Sequence, residues 1–316
     1  MQSPKLRDLQ ARMSGKVWLS DGGMETTLIF QDGIDLPHFA SFPLLATEAG
    51  RESLRRYFAG YLAEARTHGA GFVLGTATWR SGKGWGEIMG LSADDIDAVN
   101  RDAVRFARTI AASPEARGLD IVFEGVVGPH GDAYAPDRLL NAAEAEEAHG
   151  DQVRSLASAG VDFVTATTIA NAAEGIGIAR AASKADVPAV VSFTVETDGR
   201  LLTGQTLGEA IAETDAATDG GVAWYGVNCA HPDHFRQTLT GSWLGRLGQI
   251  RANASRKSHA ELDNSTELDA GDAAELARDY RALMGVLPNL RVLGGCCGTD
   301  VRHVAAIAGQ CAHAAG

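Results

Sequence analysis

The sequence predicts a (β/α)8 barrel of the TIM type, folded as one domain. Three observations carry this expectation. Eight short apolar runs rich in Val, Ile, Leu and Phe recur along the chain, and a longer amphipathic stretch follows each. The runs do not alternate polar with apolar residues, as parallel strands buried on both faces should not. No G-x-G-x-x-G and no P-loop is present, which leaves an open doubly wound sheet as the weaker alternative. The length of 316 residues suits a barrel, since such domains commonly reach about 250 residues or more. The domain is expected to span 1–316.

The elements follow in order. Residues 1–15 (MQSPKLRDLQARMSG) are charged and amphipathic and read as an N-terminal extension or helix. The first strand is 16–21 (KVWLSD). Its helix is 51–68, where Leu54, Tyr57, Phe58, Tyr61, Leu62 and Ala65 recur at helical spacing. Strand 71–77 (GFVLGTA) precedes helix 92–112, which opens on Ser92 with Asp94 and Asp95 in its first turn, a helix-start signal. Strand 121–126 (IVFEGV) precedes helix 138–159, and strand 162–166 (DFVTA) precedes helix 171–185. Strand 189–194 (AVVSFT) leads to helix 206–218, with Thr206 as a cap. Strand 223–228 (AWYGVN) leads to helix 232–240, and strand 247–252 (LGQIRA) to helix 271–285. Strand 290–294 (LRVLG) leads to helix 300–312, with Asp300 as a cap. Segment 253–270 is polar and is expected to be a flexible loop or lid on the active-site face.

Composition narrows the function. The net charge of −12 argues against nucleic acid or an anionic membrane as the main partner. No run of 18 or more apolar residues is present, and the N-terminus lacks the apolar stretch of a secretory signal. The cytoplasm is therefore the expected compartment. Oligomeric state is not readable. Four cysteines are too few for a disulfide scaffold in a chain of this size, and thiols kept reduced are free to bind metal.

Three of those cysteines carry the chemistry. Cys229 ends G-V-N-C at 226–229, and Cys296 and Cys297 lie in G-G-C-C-G-T at 294–299. In a barrel both segments fall at the C-terminal ends of strands, six and eight, on the face where active sites are built. Three thiolates suit Zn2+, which prefers tetrahedral sulfur and nitrogen ligands, and three protein ligands leave a fourth position open. The flanking glycines let the backbone turn tightly enough for neighbouring side chains to reach one ion. An all-sulfur, electron-rich site keeps a bound substrate sulfur nucleophilic and so points to alkyl transfer to sulfur, with no protein nucleophile. An isolated cysteine at a strand end is more often inert and buried. The adjacent pair with a third partner is what favours metal, and Cys311, on a predicted helix, reads as a core or surface residue.

At these residues the sequence resembles the zinc-dependent homocysteine S-methyltransferase family, from about residue 17 to 308. L-S-D-G-G-M at 19–24, V-G-P-H-G at 127–131, A-G-V-D at 159–162 and S-F-T at 192–194 are similar to family motifs, and G-V-N-C and G-G-C-C-G-T are the most specific. The resemblance implies a barrel with zinc held by Cys229, Cys296 and Cys297, and methyl transfer to homocysteine giving methionine. A chain of this length lacks the cobalamin and folate domains of much larger relatives. A compact onium donor is expected: S-methylmethionine, S-adenosylmethionine or betaine. Two departures stand out. The family's Glu-Thr pair at the end of the fourth strand, whose Glu holds the homocysteine amino group, is Thr167-Thr168 here. Conversely, Glu25 follows D-G-G-M where the family has a small residue, and it is a candidate replacement for the lost anion. Three alternatives stay open: a different thiol or selenol acceptor, a zinc lyase or hydrolase acting on a sulfur compound, and a non-catalytic zinc-binding relative that has lost acceptor binding.

Other residues are weighed beside these. The resemblance implies that Asp21 and the backbone at Gly22 and Gly23 bind the substrate's amino and carboxylate groups, against a plain strand-to-loop turn with a capping Asp. Asn228 is a candidate hydrogen-bond partner of a ligand sulfur, against an Asn that satisfies loop backbone. Trp79, Trp85 and Trp224 are candidates for an onium cage, although single tryptophans are more often core. His231 and His234 are candidate extra ligands or donor contacts, with His234 expected on a helix surface. The basic stretch Arg251 to Lys257 reads as a solvated loop.

Overall fold

The structure is a computed structural model that describes residues 3–312. Eight parallel strands close into a barrel in chain order. They are β1 (Trp18–Leu19), β2 (Gly71–Gly75), β3 (Ile121–Val127), β4 (Phe163–Ile169), β5 (Ala189–Phe193), β6 (Val222–Asn228), β7 (Leu247–Ala252) and β8 (Val292–Gly295). The short β1 completes the ring: Trp18 and Leu19 pair with β2 on one side and β8 on the other. All eight predicted strands are present. Their residues are buried on both faces almost throughout, which is why the sequence shows apolar runs without alternation.

The helices in chain order are α1 (Pro4–Arg12), α2 (Met24–Phe30), α3 (Glu48–Thr67), α4 (Lys83–Ile88), α5 (Ala93–Ala111), α6 (Ala142–Ala159), α7 (Ala172–Lys184), α8 (Leu207–Ala217), α9 (Pro232–Phe235), α10 (His259–Asp263), α11 (Ala273–Val286) and α12 (Val301–Cys311). The N-terminal stretch is a helix, α1, begun by Ser3, whose side chain accepts from the Leu6 N–H; residues 1 and 2 lie outside the described residues. Leu6, Leu9 and Met13 pack with Trp18, Phe163, Trp224 and Val292 in one buried cluster at the start of the strands, so α1 plugs that end of the barrel. Trp224 is therefore core, at the end opposite the cysteines.

Caps decide the boundaries. Ser92, Thr206 and Asp300 cap α5, α8 and α12 as expected. The stretch predicted as 138–159 begins at Ala142 instead, because the Asn141 side chain accepts from Ala143 and Glu144 N–H while Glu144 reaches back to Asn141 N–H. The stretch predicted as 232–240 is only the four-residue α9 followed by a 3-10 turn at Arg236–Thr238.

The segment 253–270 is not a free loop. Ser258 caps α10 within it, Ser255 and His259 are buried, and the His259 Nε2 lies 2.6 Å from the Cys229 carbonyl. A polar composition misread it because its polar groups are spent on internal partners. No helix among the described residues is long and apolar enough to cross a membrane.

Candidate active site at the C-terminal mouth of the barrel

Cys229 follows directly on β6, with its backbone in the left-handed region at φ 52°. Such a conformation is costly for a residue with a Cβ and persists only where its surroundings fix it. Here the fixing is complete. Cys229 N–H donates to Arg251 O at 3.1 Å, and Cys229 O takes Asn253 Nδ2 at 3.1 Å as well as His259. At the end of β8, Cys296 N–H donates to Ala252 O, and Cys297 O accepts from Ala254 N–H. Gly298 then turns at φ 79°, where its Cβ-free backbone lies against Asp269 O. These bonds bring the three sulfurs within 4.8 Å of one another.

Cys229 and Cys296 are joined by a disulfide, with Cys297 beside it. This corrects the expectation of three reduced thiols. Side chains placed closely enough to share one ion are also close enough to bond each other. Their Cα atoms are 5.3 Å apart, within the ordinary range for a bridge. Cys311, left open between core and surface by the sequence, is buried on α12 in the core cluster, and burial pushes its thiol up to about 11.

Asn228 reaches sulfur through an intermediary. Its Oδ1 accepts from Thr168 N–H at 2.9 Å and its Nδ2 donates to Thr168 Oγ1 at 2.8 Å. Thr168, itself at φ 65°, donates its hydroxyl to Cys229 Sγ at 3.7 Å. Of the two roles weighed for Asn228, it satisfies a backbone N–H, that of Thr168, and does not itself touch sulfur.

Asp21 is buried at the end of β1. It accepts from Tyr57 Oη at 3.0 Å and from the Arg251 guanidinium, which also donates to Glu124 Oε2 at 3.2 Å. Thr165 Oγ1 donates to the other Glu124 oxygen at 2.5 Å. Arg251 is therefore not part of a solvated basic stretch. It is a buried cation on β7 that bridges two buried carboxylates, one at the end of β1 and one on β3. Burial drives both carboxyls above their ordinary range and is only partly opposed by the one guanidinium they share. Burial also disfavours the guanidinium's charge, but the Asp21 and Glu124 carboxylates outweigh it and hold Arg251 protonated. Glu124 and Arg251 escaped the sequence reading. The available signal was a charged residue inside an otherwise apolar strand, IVFEGVV or LGQIRA.

Above this network lies a cavity of about 330 Å³. Asp21, Gly22, Gly23, Glu25, Thr167 and Asn228 all line it, together with the three cysteines. Gly23 sits where a Cβ would meet the Cys296 carbonyl at 2.5 Å, so only glycine lets the first loop approach the cysteine pair. The Thr167 hydroxyl is buried without a protein partner among the described residues. Trp79 lines the cavity as well, but Trp85 packs beneath Arg80, whose guanidinium carbon is 3.9 Å from its ring centroid. The cation over these rings is thus the protein's own. His231 and His234 do not line the cavity. His231 Nδ1 accepts from Asp233 N–H and His234 Nε2 meets Arg256 O.

Residues 18–311 match the family model described as homocysteine S-methyltransferase. The chain belongs to that family. It is accordingly an enzyme of the methyltransferase class. Among solved structures it is similar to the homocysteine methyltransferase MmuM from Escherichia coli in three forms. The oxidized form is 23% identical with a TM-score of 0.74, over 96% of this chain and 99% of that one. The metallated form is 22% identical at 0.72 over the same shares, and the apo form 21% identical at 0.65 over 97% and 99%. At these identities the likeness supports the barrel fold and no residue roles.

Proposed function

We propose that the chain transfers a methyl group from a compact onium donor (S-methylmethionine, S-adenosylmethionine or betaine) to the sulfur of homocysteine, giving methionine, as a cytoplasmic enzyme of methionine biosynthesis. The observation that carries this is the convergence of three cysteine sulfurs within 4.8 Å on the wall of one cavity at the barrel mouth. The donor set fits zinc: three soft sulfurs, with the cavity on the open side. In the reduced protein Cys229, Cys296 and Cys297 would hold the ion. Zinc, when bound there, supplies the charge that keeps a substrate thiol ionised at neutral pH.

The chain's own residues do the rest. Thr168 donates a hydrogen bond to Cys229 Sγ and so orients a ligand side chain. Asn228 holds Thr168 in place through two bonds. Asp21, tied to Arg251 and Tyr57, forms a rigid acidic wall. Gly22 and Gly23 bring backbone to the substrate side of that wall, and the Thr167 hydroxyl offers an unused hydrogen bond. No protein side chain serves as nucleophile. Methyl transfer from a cationic donor to an anionic sulfur neutralises charge, so it is favoured to the extent that bound substrates displace water from the pocket.

The test is methionine formation by reduced protein given homocysteine and each donor separately. Methionine should appear with at least one donor and vanish in the Cys297→Ala variant. Homocysteine consumed without any onium donor would favour the lyase or hydrolase alternative. Thr167 in the place of the family Glu supports a second reading, a different thiol or selenol acceptor. Methylation of such an acceptor, with homocysteine untouched, would select it.

A further inference from the structure

We infer that Arg80 and Glu25 together form the subsite that reads the ammonium–carboxylate head group of the α-amino-acid acceptor, with Arg80 on the carboxylate and Glu25 on the ammonium. This rests on the thiol-methylating reading above and deepens it.

Both side chains line the cavity that holds the cysteines. They are close enough to perturb each other's ionisation, yet they form no ion pair with each other among the described residues. Arg80 is fixed by stacking. Its guanidinium carbon lies 3.9 Å from the Trp85 ring centroid, 4.8 Å from that of Trp79 and 5.9 Å from that of Phe39. Its Nη1 donates to His38 O, while its buried Nε has no partner. His38 and Phe39 both adopt positive φ to make these contacts. A guanidinium stacked by its faces presents its N–H edge, and that edge is suited to a carboxylate.

Glu25 supplies the complementary half. It stands in the first turn of α2, is half-buried at the cavity wall, and takes a hydrogen bond from Ser41 Oγ at 2.8 Å. Burial pushes its carboxyl above the ordinary range, opposed first by the Ser41 bond. Both charges are half-buried and neither has a direct ion pair, although Asp132, on the same cavity wall, acts on Arg80 more strongly than Glu25 does. A ligand that carries both charges supplies a direct partner at each residue. Cys297 lines the same cavity, so the sulfur of an amino acid held here has the cysteine cluster within one shared space. Thr167 gives the end of β4 no carboxylate, and Glu25 provides one from the first turn of α2.

The experiment compares kcat/KM for three thiols: homocysteine, 3-aminopropane-1-thiol (no carboxylate) and 4-sulfanylbutanoate (no ammonium). In the wild type each truncation should cost about tenfold or more. Arg80→Met should collapse the homocysteine preference over 3-aminopropane-1-thiol and keep the preference over 4-sulfanylbutanoate. Glu25→Gln should do the reverse. Arg80→Lys should restore part of the carboxylate preference, which a purely structural role for Arg80 would not predict.

Unchanged ratios in both variants, with homocysteine still methylated, would overturn the subsite and leave the methyltransferase reading standing. A rise only in the donor KM would overturn the acceptor assignment and move the pair to the donor. If the wild type methylates no thiol, quenching of Trp79 and Trp85 fluorescence by methionine decides. Quenching lost in Arg80→Met would support the head-group site without the proposed reaction, and absence of quenching in the wild type would refute it.

Discussion

The chemistry of this site depends on single side chains whose partners are fixed by strand ends far apart in sequence. Thr168 touches Cys229 Sγ directly, and Asn228 acts only through Thr168. Thr168→Val keeps the shape and removes one hydroxyl. It should weaken zinc binding by the reduced protein about tenfold, read by competition with a chelator, while the circular dichroism spectrum stays unchanged. Arg251 answers a different question. Replacing it with Met strands Asp21 and Glu124 as buried carboxylates without their cation. The expected loss is about 3–5 kcal/mol of stability, seen as a lower urea midpoint. Substituting all three by apolar residues should recover part of it. Cys229, Cys296, Cys297, Asp21 and Glu25 were legible because their residue types and motif spacing announce chemistry. Arg251, Glu124, Thr168 and His259 were not. Each matters through a partner on another strand or loop, and only closure of the barrel brings those partners together.

At the scale of elements, the strands were readable throughout and the long helices nearly so, because burial on both faces and helical spacing leave a periodic mark over many residues. Short elements leave none. α2, α4 and α10 hold seven, six and five residues, too few for a face to repeat, and α10 was hidden inside a polar stretch. Caps set the ends more sharply than periodicity does. Asn141→Ala should cost about 1 kcal/mol by removing the cap of α6, measured by chemical denaturation.

The same helix joins a buried tie between elements. Glu174 on α7 accepts from His149 Nε2 on α6 at 3.0 Å and from His130 N–H, after β3, at 2.7 Å. Burial alone would raise its carboxyl, but these partners outweigh burial and hold it below the ordinary 4.5. A depressed carboxyl contributes stability that is present above 4.5 and lost as pH falls through its folded value. The acid limb of the stability profile should therefore be flatter in Glu174→Gln than in the wild type. Identical acid limbs would show that the tie carries no proton linkage.

For the whole molecule, the barrel is the device that makes a site from scattered sequence. β6 and β8 each present cysteine at the same mouth, β1 contributes the glycine turn that approaches them, and α1 seals the opposite end. Membership of the homocysteine S-methyltransferase family accounts for this layout. What the overall pattern did not foretell is the pairing of Cys229 with Cys296. The disulfide between Cys229 and Cys296 occupies two of the three sulfurs proposed to hold metal, so reduction must precede loading. The most direct test of the central claim is zinc content per chain, measured by elemental analysis after reduction and anaerobic incubation with zinc followed by desalting. The account predicts about one zinc per wild-type chain, and a loss of most of it in Cys229→Ala, Cys296→Ala and Cys297→Ala alike. Full loading of all three variants, or none in the reduced wild type, would contradict it.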